Sequence, residues 1–242
     1  MRTNQALIAI LQEKIDNIAG AFTRQKDRLP FGVPEIDDRI RGGLAFGSTH
    51  EIAGGGSDAI DGAASALFAA GIAARAKGPV FWCFVREDLF PPGLVQVGLD
   101  TNRATFIGSD DDTEVLDSAE EIIRHGGVAV CVAETVRLPM VASRRLQLAA
   151  EKTATMGLIV RRWRRQSDAT DYGMPSASMT RWRISVRPSE PLPVTGVGRR
   201  RWHVELMRAR SSDCFDIEVG ACDEHGQMEA VRNESDAGRI AQ

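Results

Sequence analysis

Residues Glu51-Ile-Ala-Gly-Gly-Gly-Ser-Asp-Ala-Ile-Asp-Gly-Ala-Ala64 form a glycine-rich turn between an apolar strand-like stretch, Gly47 to Ile52, and an alanine-rich helical one, Ala63 to Ala76. A turn of this kind is where a nucleotide-binding α/β protein holds phosphate. In the pattern G-x-x-x-x-G-K-[S/T], backbone N–H groups cradle the anion, the lysine reaches the β and γ oxygens, and the hydroxyl holds magnesium. Aligned from Gly54, the loop runs through Gly55, Gly56, Ser57 and Asp58. It places Ala59 at the second glycine, Ile60 at the lysine and Asp61 at the hydroxyl. An apolar residue and two carboxylates repel ATP-magnesium where lysine and threonine would grip it. The stretch predicts the architecture of a phosphate loop without its chemistry: no bound cofactor, no metal, no catalytic residue and no ATPase activity.

The 242 residues are 43% apolar and 26% charged, the composition of a soluble chain with a real core. No apolar run approaches the roughly 18–20 residues of a membrane span, so no membrane partner is expected. Leu7 to Leu11 is too short for a signal peptide and is followed by Gln-Glu-Lys. Cys83, Cys131, Cys214 and Cys222 show no paired spacing, which predicts reduced thiols and a cytoplasmic location. Cys214, Cys222, Asp223 and His225 match no standard zinc spacing. The net charge of −3 hides an asymmetry. Residues 1–136 carry 12 basic and 20 acidic groups, residues 137–210 carry 16 and 5, and residues 211–242 carry 2 and 8. A block this basic in an acidic chain points to nucleic acid or an acidic partner.

Ile8, Leu11, Ile15, Ile18 and Phe22 recur at helical spacing and predict an amphipathic helix over 4–22. That helix either packs on its own domain or forms an arm that docks on a partner. A short helix starts at Pro34 and stops at Gly42-Gly43. After the glycine-rich turn, continuous apolar runs at Val80–Val85, Ala104–Ile107, Val128–Ala133 and Leu158–Arg161 read as buried strands. Helices are expected at Leu94–Leu99, from Asp110 to Arg124, and at Ser143–Thr155 between them. This alternation predicts a doubly wound, mostly parallel sheet. Arg181–Arg187, Arg201–Arg208 and Cys214–Val219 then alternate as antiparallel strands with one wet face.

The order of these words resembles the RecA-like core, and in particular the ImuA family of RecA-related proteins. Phe31 to Leu44 is similar to the RecA entry into its phosphate loop, and Trp82 to Asp100 to the RecA strand carrying a catalytic glutamate, with Glu87 in that position. Met179 to Arg187 looks like the strand after the second DNA-binding loop, and Trp202 to Arg210 like the next one. The magnesium carboxylate falls on Ala133 or Glu134, depending on a one-residue shift, and Glu87 reads as vestigial because no nucleotide is held for it to act on. The resemblance implies a RecA-like core over 28–219, an arm over 1–27 and an acidic, disordered tail over 220–242. It also implies a non-catalytic accessory role in damage-inducible translesion DNA synthesis. The implied partners are an ImuB-like Y-family protein, an error-prone C-family DNA polymerase and RecA itself. The alternatives are a SulA-like cell-division inhibitor, a RecA-type DNA-dependent ATPase, or a plain DNA-binding module.

Arginine and tryptophan cluster at Arg161-Arg162-Trp163-Arg164-Arg165, Arg181-Trp182-Arg183 and Arg199-Arg200-Arg201-Trp202. Guanidinium forks suit phosphates and indoles suit bases, so these residues are expected to converge as a groove for DNA or for an acidic partner segment. The competing expectation is a solvated basic rim with the tryptophans in the core. The acidic stretch from Asp213 to Gln242 either folds back on this face or stays free.

Overall fold

The computed structural model describes residues 27–56, 58–163, 172–189 and 192–231, with the backbone alone for residues 58 and 59. The expected arm, including Ile8, Leu11, Ile15, Ile18 and Phe22, lies outside the described residues, as do Ser57, Arg164 and Arg165. The chain enters through β1 (Arg28–Leu29), α1 (Pro34–Asp37) and β2 (Leu44–Ala45), with β1 and β2 pairing as a small ribbon. The main sheet then forms from β3 (Ser48–Gly54), β4 (Val80–Phe84), β5 (Ala104–Gly108), β6 (Val130–Thr135) and β7 (Met156–Arg161). It continues with β8 (Thr180–Arg187), β9 (Arg201–Ala209), β10 (Phe215–Gly220) and β11 (Glu229–Ala230).

Its order is β11-β10-β9-β8-β3-β7-β6-β4-β5, parallel from β8 through β5 and antiparallel from β8 through β11. This is the RecA-like doubly wound sheet with added antiparallel strands. The inner parallel strands are covered on both faces, whereas β5, at the sheet edge, is largely exposed. On one face, α2 (Ala63–Arg75) and α3 (Pro91–Gln96) cover Ile52, Trp82, Val132, Val160 and Trp182. On the other, α4 (Asp112–His125) and α5 (Met140–Thr153) cover Cys83, Cys131, Ala133 and Ile159.

Local chemistry sets the ends of these elements. Asp111 caps α4 by accepting from the Thr113 and Glu114 N–H groups at 2.8 and 2.9 Å, and acids in the first turn suit the positive helix end. Helix α3 begins at Pro91 rather than Leu94, because proline suits a first turn. It ends early because Gly98 takes a left-handed φ of 88° and packs on Gly226.

Two further boundary differences bear on the site. Strand β6 runs on to Thr135, so Glu134 lies inside it. The tail expected from residue 220 begins no earlier than 232, since β11 pairs with β10 and Ala221, Cys222 and Met228 are buried in the core. These apolar residues are the physical reason: an acidic average concealed enough burial to order the stretch. Residues 232–242 lie outside the described residues. Among the described residues, no helix is long and apolar enough to cross a membrane.

The segment 221–228 crosses α2 at Gly71, where an added Cβ would collide with the Cys222 side chain. Burial pushes the Cys222 thiol up to about 12, so it packs there as a neutral group. Gly71→Ala is expected to overpack this contact and lower stability by about 1–3 kcal/mol, measured by urea denaturation.

Candidate functional site at the carboxyl edge of the sheet

Strand β3 delivers the glycine-rich turn to the carboxyl edge of the sheet, where α/β proteins place their chemistry. The turn is docked on β8. Gly55 N–H donates to the Ile184 carbonyl at 2.8 Å, and a Cβ on Gly55 would strike the Ser185 side chain. A wide π-helical turn, Asp58–Gly62, leads into α2. Within it, Asp61 accepts from the Val186 N–H at 2.7 Å, and its second oxygen lies 2.6 Å from where a Gly56 Cβ would be. Gly54 abuts the Asp61 carbonyl and the Gly62 nitrogen in the same way, so only glycine fits. The Asp61 carboxylate is thus fastened to the neighbouring strand. Ile60, at the lysine position, is 59% exposed.

On the α2 face, the same edge carries a compact charge cluster. Arg162 donates to Asp88 through both terminal nitrogens at 3.0 Å each, and to Glu134 at 3.1 Å. The Trp82 indole N–H donates to the other Glu134 oxygen at 2.9 Å. Burial pushes the Glu134 carboxyl up, while Arg162 and the indole oppose that shift. Of the two residues proposed for the magnesium carboxylate, Glu134 is the one at this edge, and its partner is a guanidinium. Glu87 is exposed in the loop after β4, and its neighbour Asp88 makes the bidentate contact.

On the opposite face, Glu51 is fully buried between two arginines. Arg161 reaches one of its oxygens at 2.7 Å, while Arg181 and the Ser176 hydroxyl reach the other at 2.8 and 3.0 Å. Arg161 also donates twice to the Val136 carbonyl, and Arg181 to Met174. With Arg208 and Arg210 on the Ser176 and Ala177 carbonyls, the cluster ties residues 174–177 to the sheet. Tyr172 donates to the Trp182 carbonyl and stacks near Trp163. The chain before β8 is therefore packed from residue 172 onward.

The expected stacking groove is corrected by these positions. Trp163, Trp182 and Trp202 are all buried, the last two among Phe31, Phe68 and Phe215. Their faces are spent on the core because a bulky apolar ring gains more there than in water. Arg161, Arg162 and Arg181 are buried and ion-paired, which removes them from any phosphate-facing surface. Arg183, Arg199, Arg200 and Arg201 remain at least partly exposed.

The described part of the acidic stretch, up to residue 231, folds back: Arg187 pairs with Glu218 and Arg199 with Glu229, and His203 hydrogen-bonds Asp216. Arg183 holds Glu205 at 2.7 and 2.5 Å. The sequence reading missed Glu51, whose signal was a carboxylate in a strand leading into the glycine-rich turn. Among the described residues, no group of three or more His, Cys, Asp or Glu could hold a metal.

No family model matches the chain. It is 40% identical over 193 residues to Protein ImuA of Caulobacter vibrioides, in strain NA1000 / CB15N and in strain CB 15, spanning 75% of this chain and 78% of each relative. Among solved structures it resembles the RadB recombinase, with a TM-score of 0.59 and 16% identity over 84% of this chain and all of that one. That likeness concerns the fold.

Glu51→Gln leaves two buried guanidinium groups against a neutral amide, and is expected to lower stability by about 3–5 kcal/mol in chemical denaturation. Arg183, chiefly through its hydrogen bonds, holds the Glu205 carboxyl below the usual range. The stability from that pair is present above the unfolded glutamate pKa of about 4.3 and is lost as pH falls through the depressed folded value. Arg183→Gln is expected to raise the Glu205 titration midpoint, read by carboxyl NMR, and to flatten the acid limb of the stability curve.

Proposed function

The chain belongs to the ImuA family, and on that premise we propose that it is a non-catalytic, RecA-like accessory of damage-inducible mutagenesis that works through contacts with other proteins. The observation that carries the reading is Asp61. Its carboxylate stands where a magnesium-binding hydroxyl would be, packs on Gly56 and takes the Val186 N–H. Phosphoryl transfer depends on positioning and on neutralising the charge of the nucleotide and its metal. A loop lacking its lysine and carrying a fixed carboxylate does neither. Arg162 between Asp88 and Glu134 supports the same conclusion, because the acids a metal would need are already neutralised by the chain.

A RecA-like fold without nucleotide chemistry serves as a rigid platform. Its proposed partners are an ImuB-like Y-family protein, an error-prone C-family polymerase and RecA, with DNA reached through them or through the exposed arginines. The amphipathic segment 4–22, outside the described residues, is a second candidate contact.

Two measurements test the proposal. The purified protein should bind no ATP-magnesium in equilibrium titration at millimolar nucleotide and should hydrolyse none, with or without single-stranded DNA; turnover would overturn the non-catalytic reading. Tagged protein purified from damaged cells should retain the ImuB-like protein or the polymerase, whereas recovery of the division machinery would replace the mutagenesis role.

A further inference from the structure

Helix α5 buries Ser143, Leu146, Gln147, Ala149 and Ala150 against the sheet. Its opposite side faces water without being uniformly polar: Val141 is 70% exposed and Leu148 is 58% exposed. Seven residues apart on one helix, they lie two turns along a single line, separated by about 10 Å. Lys152 continues that line at the next turn, and the three positions fall within an arc of about 40° at 3.6 residues per turn. Arg144 flanks the line on one side and Arg145 on the other.

The two arginines differ in what holds them. Arg145 turns to α4, where it pairs with Asp117 at 3.1 Å and with Glu120. The side chains of Arg144 and Lys152 are exposed and make no hydrogen bond or ion pair among the described residues. The one acid of the helix, Glu151, lies beyond Arg144 and accepts from the Gln147 amide at 2.9 Å. Elsewhere in the basic block, Arg161, Arg162, Arg181, Arg183 and Arg187 are paired with carboxylates of this chain. On α5, two cations and two aliphatic side chains share a face that the chain itself leaves unmatched.

We propose that this face of α5 docks an acidic amphipathic helix of a protein partner, with Val141 and Leu148 as the apolar contacts and Arg144 and Lys152 as the cationic edge. The proposal rests on the protein-contact reading of the preceding section and gives it a surface. Aliphatic side chains two turns apart match the apolar stripe of a second helix laid along this one. Their removal from water supplies attraction, and the unpaired cations select carboxylates over basic partners. A second copy fits less well, because α5 packed on α5 about a two-fold axis sets cation against cation. A lipid surface needs a broader apolar face than two side chains. Nucleic acid would be met by cations or aromatic rings where Val141 and Leu148 stand.

The test uses the full-length chain and the purified ImuB-like protein in a binding titration. Val141→Asp with Leu148→Asp should weaken the complex about tenfold or more. Arg144→Gln with Lys152→Gln should slow association and flatten its dependence on salt. All four side chains are exposed, so circular dichroism and thermal melts should match the wild type. Benzoylphenylalanine in place of Leu148 should crosslink to a carboxylate-rich helix of the partner. Binding unchanged in both variants, with the wild type still binding, overturns this face and leaves the accessory role standing. Absence of wild-type binding overturns that partner assignment and the face with it. A crosslink to a second copy, or to residues 4–22 of the same chain, overturns the outside partner. A loss confined to retention of single-stranded DNA or of anionic vesicles overturns the protein assignment.

Discussion

A carboxylate buried at the edge of a sheet costs several kcal/mol unless a cation reaches it, and this chain supplies the cation from its own arginines. Glu51 lies within a strand covered on both faces, with Arg161 and Arg181 on its two oxygens. Because those arginines come from the strands on either side of β3, the end of β7 and the start of β8, the pairing fixes the register of the three strands around Glu51. A spare nitrogen of Arg181 binds the Met174 carbonyl and Arg208 binds that of Ser176, so residues 174–176 are tied to the same cluster.

The rule repeats across the sheet. Arg162 neutralises Asp88 and Glu134 on the α2 face, and Arg183 neutralises Glu205 on the uncovered face of the antiparallel strands. Asp61 is satisfied differently, by a backbone N–H of β8. In a nucleotide-hydrolysing relative of this architecture the carboxyl edge would be left open for charges brought by a ligand. Here much of that charge is matched internally.

Function then moves to what the sheet leaves unmatched. The antiparallel extension is charge-paired along its open face, which makes it soluble and specific in register rather than adhesive. Exposed apolar side chains are spread over the fold: Leu192, Val194 and Val197 on the connection between β8 and β9, Ile60 beside the glycine-rich turn, and Phe90, Val141, Leu148 and Met174 elsewhere. A rigid scaffold carrying an exposed loop is a common arrangement for recognition.

The sequence by itself determined the sheet. The inner parallel strands are largely apolar, helices must show their own period, and glycine must stand where backbone meets backbone, so the alternation and the Gly54–Gly56 turn were legible residue by residue. It also showed that Ile60 and Asp61 stand where, counted from Gly54, a phosphate loop would carry its lysine and hydroxyl. Tertiary structure decided the rest. A tryptophan beside two arginines reads the same in a groove and in a core, and only packing put Trp182 and Trp202 against Phe31, Phe68 and Phe215. Charge counts could not show that Glu218, Asp216 and Glu229 return to the arginines of the basic block, because such pairs join residues distant in sequence. Nor could they show Glu51 between its two arginines: the partners are 110 and 130 residues away, and only the folded sheet makes them neighbours.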